Sequence, residues 1–396
     1  MAVTDVSMLR ERRKKKKLTK LLKRLLIVLA AAAAVAAVVL TRELWYPRLD
    51  GILTKIPVPE NSAELAGGHF PLSIEGGAGY QLKQLDDSLA IADDSHFFVH
   101  GEDGKLIYSV QHTFANPVIT VGNKKALLYD LGGKSFGLYS KYKNIYEKTS
   151  DEPILIARIG GNDTVAVVTK SDKYPSSLMV YDSSGKNIFN YRSSARIIDV
   201  TFNEDSSGCY ITTIGVSGGF MVSKILYYKF DHIDRDEFDN PLPVWETEEL
   251  ETLPLSVQLF GENDIIVFGD TLCAYYDRNG NYIGGYDYKR QLADYSLDGN
   301  IAAMVFSNEE RRTSELVTID CVAGTTEEKP LDRRVINVQV SGDVVYMQTE
   351  YGIESCTAAG EKISEVELDA EYESFLRMGK YIYLLGSDEI NRIDYN

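Results

Sequence analysis

The amino-acid sequence predicts an all-β fold for most of the chain, and three observations support that prediction. From about residue 80 onward, short runs of Val, Ile, Tyr, Phe and Leu alternate with Gly, Asn, Asp and Ser turns. Almost no stretch has helical periodicity. A strand–turn–strand unit recurs eight times, its first members beginning near residues 88, 125, 163, 208, 264, 300, 343 and 380. Repeats of this length predict a β-propeller, a ring of four-stranded blades.

The repetition has a physical cause. A lone four-stranded sheet leaves both faces exposed, whereas radial packing between two neighbours buries them. Eight units predict eight blades, and seven is the alternative if the weakest unit, ALLYDLGGK with SFGLYS, belongs to a larger neighbour. The eighth unit lacks strands at the chain end, so we expect residues 70 to 86, which contain YQLKQLDD, to complete it. This closure removes exposed sheet edges.

One hairpin sequence occurs twice in the chain, in altered form. LMVYDSSGKNIFNY, residues 178 to 191, returns as LCAYYDRNGNYIGGY, residues 272 to 286. In each copy an Asp, Asp182 or Asp277, precedes a Gly, Gly185 or Gly280, by three positions. The Asp accepts hydrogen bonds from the turn backbone and the Gly adopts a positive φ. We therefore interpret these residues as structural parts of the hairpin turn.

The N-terminal region differs sharply in charge from the rest. Residues 1 to 24 carry ten Lys or Arg against two acidic residues, a net charge of +8, while the whole chain has −16, so the remainder carries −24. The apolar run LLIVLAAAAAVAAVVL, residues 25 to 40, follows directly. It is slightly shorter than the ~20 residues that cross a bilayer, but flanking Lys and Arg can snorkel and Trp45 can lie at the interface.

This pattern predicts four segments. They are a basic cytoplasmic tail at 1–24, a single transmembrane helix at 25–45, a juxtamembrane linker at 46–71 and an extracytoplasmic propeller at 72–396. The positive-inside rule places the N-terminus in the cytoplasm and the propeller outside the cell membrane. A cleaved signal peptide ending near Ala37 is the alternative, although its apolar core is typically shorter.

The chain contains four cysteines, without a C-x-x-C pair. An exported protein with an even number of cysteines can form disulfides. The four are far apart in sequence and lie in separate predicted strands, so we favour small buried apolar residues over disulfide partners. They are Cys209, Cys273, Cys321 and Cys356.

Two patterns resemble catalytic or metal motifs. Gly215 to Gly219 matches G-x-S-x-G, with Ser217 as the nucleophile and His232 downstream, but that motif needs a strand before it and a helix after it. Here it joins two predicted strands, which favours a hairpin turn. His96 and His100 have zinc spacing for a helix, whereas on a strand they lie roughly 13 Å apart, too far to share a metal.

The longest insertion of the predicted ring is acidic. DHIDRDEFDN, residues 231 to 240, brings together several carboxylates, and hard cations prefer oxygen ligands. Calcium is therefore a candidate, with Asp231, Asp234, Asp236 and Asp239 as ligands. The spacing is not that of an EF-hand, because Leu242 stands where its bidentate Glu belongs. A solvated acidic loop is the alternative, and no other cofactor is expected.

Other chemistries lack a signal in the sequence. The chain has no P-loop, no dinucleotide-binding glycine pattern and no zinc ribbon, and its acidic balance disfavours nucleic acid. Its 25 tyrosines fit sheet faces, and aromatic rings also contact sugars and protein partners.

The organisation resembles an uncharacterised, largely clostridial, Gram-positive family of membrane-anchored β-propeller proteins of unknown function. The resemblance rests on KKKKLTKLLKRLLIVLA, the linker, and repeats such as YDSSGKNIFNY. More distantly, the predicted ring looks like the scaffold of bacterial envelope-assembly lipoproteins and of quinoprotein enzymes. The chain has only two Trp, so it lacks the tryptophan of each quinoprotein blade, and it also lacks the W-D signature of WD40 repeats.

Two functions of different classes follow as hypotheses. We favour a non-catalytic, membrane-tethered propeller that binds an envelope protein or a cell-wall polymer at one rim or in its central channel, because loops from every blade converge there. The alternative is an extracytoplasmic glycan-active enzyme, which requires two carboxylates roughly 5 to 9.5 Å apart at the channel mouth. A sensor is disfavoured, because the short tail holds no signalling domain.

Overall fold

The structure, a computed structural model, describes residues 70–74, 79–232, 234–308, 312–368 and 370–395. These residues form 32 β-strands in eight four-stranded antiparallel sheets, and no helix is found among them. The first strands of successive sheets neighbour one another around a closed ring, which includes contact between the first and last sheets. The described part of the chain is therefore an eight-bladed β-propeller, as the sequence predicts.

The blades are numbered in chain order, and their strands run from the innermost to the outermost. Blade 1 contains β2 (Gln81–Leu85), β3 (Ser88–Ala92), β4 (His96–Gly101) and β5 (Leu106–Gln111); blade 2 contains β6 (Pro117–Val121), β7 (Lys125–Asp130), β8 (Ser135–Ser140) and β9 (Asn144–Thr149). Blade 3 contains β10 (Ile154–Ile159), β11 (Val165–Thr169), β12 (Ser176–Tyr181) and β13 (Asn187–Ser193); blade 4 contains β14 (Arg196–Phe202), β15 (Gly208–Ser217), β16 (Phe220–Lys229) and β17 (Trp245–Glu246).

The second half of the ring repeats the plan. Blade 5 contains β18 (Pro254–Phe260), β19 (Asp264–Gly269), β20 (Leu272–Tyr276) and β21 (Tyr282–Asp287); blade 6 contains β22 (Gln291–Asp298), β23 (Ile301–Asn308), β24 (Thr313–Asp320) and β25 (Thr325–Leu331). Blade 7 contains β26 (Val335–Ser341), β27 (Val344–Thr349), β28 (Gly352–Thr357) and β29 (Lys362–Glu367); blade 8 contains β30 (Ser374–Met378), β31 (Tyr381–Leu385), β32 (Glu389–Asp394) and β1 (Leu72–Ser73).

The hydrophobic core lies between blades. Each of the eight clusters of buried apolar residues combines side chains from two adjacent blades; one, for example, packs Val180 and Phe189 of blade 3 against Ile211 of blade 4. Two of the second strands, β3 and β11, are buried at every position. Their sequences SLAIA and VAVVT are accordingly apolar without alternation, because both faces are covered.

The outermost strands follow a different rule. Strand β25, TTEEKPL, is mostly exposed and contains two Glu, a Lys and a Pro, and β29 alternates exposed and half-buried residues. An outermost strand presents unpaired backbone groups to other chains, and charges or a proline discourage such pairing. The polar composition of these strands therefore protects the free edges of the ring.

The closure of the ring corrects one expectation. Of residues 70 to 86, only β1 joins blade 8, where Leu72 pairs with Ile390 of β32. The YQLKQLDD segment instead forms β2, the innermost strand of blade 1. Blade 8 needs only one strand from the N-terminal side, because the C-terminal segment supplies the other three. Two of these, β31 and β32, are the predicted pair, and β30 precedes them in the chain. The Tyr80 hydroxyl reinforces the joint by donating to the carbonyl of Gly386 at 2.9 Å.

The weakest predicted unit forms a blade of its own. ALLYDLGGK and SFGLYS are β7 and β8 of blade 2, flanked by β6 and β9. This finding excludes the seven-blade alternative.

The repeated hairpin turn is structural, as predicted. Oδ1 of Asp182 accepts the backbone N–H of Ser184 and of Lys186, each at 2.9 Å, and Asp277 makes the equivalent contacts with Asn279 and Asn281. Gly185 and Gly280 have φ of 83° and 84°. Each turn connects the third and fourth strands of its blade.

Candidate binding surface

Antiparallel blades give the ring two chemically distinct rims. In blades 1 to 7, the turns that follow the first and third strands lie at one end, which we call the turn rim. The turns that follow the second strand, together with the connections to the next blade, lie at the other end, which we call the connection rim.

The turn rim is interlocked from blade to blade. Nδ2 of Asn162 donates to the carbonyl of Asp205 at 2.7 Å, and Oδ1 of Asn263 accepts the N–H of Glu204 at 2.6 Å. Further bonds of this kind join Asn123 to Gly161, Asn300 to Gly261 and Asp298 to Gly342. Sheets of different blades share no backbone ladder, so these side chains supply hydrogen bonds that connect them.

The inner strands are connected in the same way. Asp199 of β14 accepts the N–H of Val257 in the next blade at 3.0 Å, and Asp294 of β22 accepts that of Val338 at 2.7 Å. Asp199 also lies 2.9 Å from the Arg158 guanidinium. Burial raises the pKa of Asp199, and Arg158 opposes part of that shift. Both carboxylates therefore hold adjacent inner strands together.

One cation of the inner ring has no partner. Lys83 of β2 forms no hydrogen bond or ion pair with a described residue, and its side chain is accessible to water. Burial nevertheless lowers the pKa of its ammonium group, and the nearby Arg158 lowers it further. A side chain that is both accessible and surrounded by protein fits a narrow, solvent-filled central channel.

A long hairpin dominates the connection rim. Strands β15 and β16 each have ten residues, and their ladder runs from the pair Gly208–Lys229 to the pair Ser217–Phe220. Gly218 and Gly219 form the two-residue turn with φ of 57° and 87°, the positive values that such tight hairpin loops require. The G-x-S-x-G match is thus a hairpin turn, as predicted, and His232 contacts Asp234 at 3.2 Å.

The tip of this hairpin has no neighbouring strand on either side. Strand β14 pairs with β15 only as far as Ile214, opposite Arg196, and on the other edge the last bridge joins Ser223 to Leu250. Residues 215–222 therefore form a free two-stranded ribbon. On it, Val216 is 79 %, Phe220 77 % and Met221 64 % exposed. No other large apolar side chain among the described residues is as exposed as Val216 and Phe220.

The segment beside the ribbon is acidic and partly apolar. It follows β17 and bonds to the base of the hairpin, where the Ser223 hydroxyl donates to the carbonyl of Thr252 at 2.8 Å. Three glutamates of this segment are exposed and form no ion pair with a described residue: Glu248, Glu249 and Glu251. Two exposed leucines, Leu253 and Leu255, follow at the start of β18. We call these five residues, together with Val216, Phe220 and Met221, the blade-4 patch.

The four aspartates predicted to bind a cation lie in the insertion between β16 and β17, the longest connection within a described blade. The side chain of Asp231 pairs with Lys229 at 3.4 Å and that of Asp234 with His232. Oδ1 of Asp236 accepts the N–H of Phe238 and of Asn240. Within the described ranges, no three His, Cys, Asp or Glu side chains form a group suited to a metal. Calcium binding by these aspartates stays a prediction, which a calorimetric titration with CaCl₂ tests.

The same insertion roofs a half-open cavity of about 440 Å³ between blades 3 and 4. Its floor is apolar and aromatic, with buried Tyr191 and Tyr228, and Phe238 stands exposed at its edge. Asn240 fixes the insertion by exchanging two hydrogen bonds of 2.9 Å with the backbone of Arg192. No sequence pattern predicted this cavity, because its walls come from separate segments of the chain.

The imidazole rings of His96 and His100 are not in contact with each other. They flank the ring of Phe98, with centroid distances of 5.4 Å and 6.0 Å, on the wall of a second cavity of about 530 Å³ beside β1. Nδ1 of His100 contacts the carbonyl of Gly104 at 2.9 Å, and burial lowers the pKa of this imidazole. The two histidines share a strand face with the Phe98 ring between them, as the strand spacing predicts.

The four cysteines are buried and free of disulfides, which confirms their role as apolar core residues. Burial raises the pKa of the Cys273 thiol to about 12. They belong to the clusters between blades, as Cys209 does at the interface of blades 3 and 4.

The fold and these surfaces define the class of protein: an eight-bladed propeller with an interlocked inner ring and an apolar, acidic patch on one rim. The chain belongs to the family of unknown function DUF5711, whose family model matches residues 72–394. No curated protein matches it.

Solved structures with similar folds have little sequence in common with this chain. Sqt1 from Saccharomyces cerevisiae is 10 % identical with a TM-score of 0.62, over 82 % of this chain and 98 % of that one. BamB from Moraxella catarrhalis is 14 % identical with a TM-score of 0.54, over 83 % and 97 %. Apo AztD from Citrobacter koseri is 10 % identical with a TM-score of 0.53, over 80 % and 89 %. At these identities the likeness shows the fold alone.

The predicted membrane segment, 25–45, and nearly all of the linker lie outside the described residues. Among the residues that the structure does describe, no helix has the length and hydropathy to cross a bilayer.

Proposed function

We propose that this protein is a non-catalytic binding platform, tethered to the cell membrane by residues 25–45 with its propeller on the outer side. The apolar run behind a basic tail supports the tether and its orientation. The resemblance to Gram-positive, membrane-anchored propeller proteins fits the same placement. The partner is an envelope protein; a cell-wall polymer and the bilayer itself are the other surfaces within reach of such a tether.

The exposure of the blade-4 ribbon is the observation that carries this proposal. Monomeric proteins rarely expose contiguous large apolar side chains, and such patches mark interaction sites. Val216, Phe220 and Met221 contribute nothing to the core between blades, because they project beyond the last pairing of β15 and β16 with neighbouring strands. An aromatic anchor on a rigid scaffold is the usual centre of a protein-binding surface.

No described feature favours the glycan-active alternative. A glycosidase requires two carboxylates that reach the substrate across a cleft. The two inner-strand aspartates that burial shifts to raised pKa values, Asp199 and Asp294, both accept backbone N–H groups of the next blade. They act as parts of the scaffold, because their oxygens are engaged by the backbone of the next blade.

Photo-crosslinking in native cells tests the binding function. The full-length protein would carry p-benzoylphenylalanine in place of Phe220 or, as the matched control, in place of Tyr282, which is 65 % exposed and begins β21 near the turn rim. We expect a reproducible protein adduct at position 220 and none at 282. Absence of any adduct at 220, together with cleavage of a wall glycan by the purified protein, would contradict the proposal.

A further inference from the structure

The blade-4 patch combines two kinds of surface in one place. The ribbon offers three exposed apolar side chains without a charge among residues 215–222. Directly beside its base, the segment that bridges Ser223 to Leu250 carries the unpaired Glu248, Glu249 and Glu251. The nearby Glu246 does have a cationic partner, since its side chain accepts from Lys224 at 3.0 Å.

The register of this segment fixes where the charges lie. It runs antiparallel to β16, with Glu246 opposite Leu226 and Leu250 opposite Ser223, so its chain advances toward the tip of the hairpin. Leu253 and Leu255 then lead into β18 of the next blade. The glutamates are therefore bracketed by apolar residues, with the ribbon on one side and the two leucines on the other.

On this basis we infer that the blade-4 patch binds a basic amphipathic segment of a partner protein. The apolar stripe of that segment would contact the ribbon and the two leucines of the patch, and its Lys or Arg side chains would lie beside the glutamates. This inference rests on the proposed binding function and names the chemistry of its partner. Charge complementarity selects the basic sign, because three uncompensated glutamates repel an acidic segment and attract a basic one. The net charge of −24 outside the basic tail adds long-range attraction of the same sign.

The alternatives to a protein segment fit less well. A second copy of the propeller would bring its own three glutamates against these, because a two-fold contact places the same patch on both partners. An anionic lipid surface is repelled by the same charges. Both remain as outcomes that the experiment separates.

The test uses the full-length protein in phosphatidylcholine nanodiscs, with p-benzoylphenylalanine in place of Phe220. The probe is a labelled helical peptide of leucine and lysine, about 18 residues long so that a helix is stable, with leucines on one face. Its controls are the same composition in scrambled order and a leucine–glutamate peptide. We expect a covalent adduct with the basic amphipathic peptide. The leucine–glutamate peptide should give about tenfold less adduct, because it lacks three charge pairs that each contribute a modest factor. The scrambled peptide should also give about tenfold less, because it keeps the charges but presents no continuous apolar face to the ribbon.

Two charge-matched variants isolate the patch. The first is Glu248→Lys/Glu249→Lys/Glu251→Lys, and the second is Glu327→Lys/Glu361→Lys/Glu367→Lys, on exposed outer positions of blades 6 and 7. Both change the net charge equally. We expect the first to lower the adduct yield about tenfold and the second to leave it within about twofold. Equal urea-unfolding midpoints for the two variants show that both remain folded.

Several outcomes overturn the inference. They are an adduct of equal yield with the acidic peptide, an equal loss in both charge variants, or adducts only with lipid or with a second copy. The in-cell adduct at position 220 can persist while the captured segment of the cellular partner is acidic or neutral. In that case the binding function stands and this inference fails. If no in-cell adduct forms at position 220 either, both the binding function and this inference are wrong.

Discussion

The turn rim and the blade-4 patch are built from the same kind of hairpin and use it for opposite purposes. On the turn rim, Asn162 donates to the backbone of the next blade and Asn263 accepts from the backbone of the preceding blade, so each turn also connects its blade to a neighbour. The ribbon of β15 and β16 extends past its neighbours and bonds only within itself. Polar residues at the turn rim thus stabilise the ring, while apolar residues on the ribbon leave an uncovered surface.

This difference shows where the protein can tolerate change. On the inner strands, side chains such as Asp199 satisfy buried backbone groups of the next blade, and their loss carries the desolvation cost of the groups left behind. Ribbon side chains contact mainly water, so selection for stability does not explain their apolar character. Four predictions test the contrast, from the largest effect on stability to the smallest.

Removal of Asp199 should be the most damaging change in the inner ring. Asp199→Ala leaves the N–H groups of Val200 and Val257 without their acceptor and removes the partner of Arg158. Arg158 is about one-third exposed, so water recovers part of its loss. We expect a free energy of unfolding lower by about 3 kcal/mol, measured by urea denaturation. Asp294→Ala, which breaks no ion pair, should cost less, and an equal loss would contradict this account.

Asn263 supports the joint between blades 4 and 5 with its side chain and with an unusual backbone. Its φ is 72°, a left-handed conformation that alanine resists. Asn263→Ala should therefore lower the free energy of unfolding by about 2 kcal/mol, and Asn263→Gly by about 1 kcal/mol, because glycine removes the hydrogen bond without the strain. Identical unfolding curves for the two variants would show that the backbone conformation is not strained.

The aspartates of the repeated turn predict an acid sensitivity of the turn rim. The Ser184 and Asn281 side chains are the main causes that hold the pKa values of Asp182 and Asp277 below their ordinary range. Their contribution to stability is therefore present above the unfolded-state pKa of about 3.9 and is lost as pH falls through the folded-state value. Thermal melts between about pH 5 and 2.5 should show a steeper loss for the wild type than for Asp182→Asn/Asp277→Asn. Parallel curves of melting temperature against pH for the two proteins would contradict this prediction.

Polar substitution of the ribbon should leave stability almost unchanged. Phe220→Ser/Met221→Ser exchanges two exposed side chains that pack against no cluster of the core. We expect a free energy of unfolding within about 0.5 kcal/mol of the wild type, while the in-cell adduct formed from a crosslinker at Val216 disappears. A loss of stability above about 1 kcal/mol would mean that the ribbon is a structural element instead of a binding surface.

The sequence predicted the architecture because the ring repeats its local chemistry. Apolar runs such as VAVVT and turns such as Asp182 to Gly185 recur along the chain, and each recurs for a local reason: burial on both faces or a backbone conformation. The innermost strands were harder to recognise. Strands such as β2, QLKQL, carry polar residues whose hydrogen-bond partners lie in another blade, so a strand read by itself lacks a clear pattern.

The binding surface was predictable only in part. The sequence predicted a hairpin turn at Gly215 to Gly219, but no sequence pattern singled out the glutamates that follow Trp245. It did not show that the two lie side by side, which depends on the bridge from Ser223 to Leu250. For the same reason, the aspartates of the insertion looked like one cluster in sequence, whereas two of them bond to neighbours and one bonds within its own turn.

Local chemistry repeated along the chain determined by itself that this protein folds as a ring of small sheets, because burial and turn geometry act over a few residues. Only the tertiary structure decided which segment closes the ring, since Leu72–Ser73 and Gln81–Leu85 are both acceptable strands and the choice depends on the free edge of β32. It also decided which hairpin protrudes. Protrusion is a property of the neighbouring strands, which end at Arg196 and Leu250, and not of the hairpin itself.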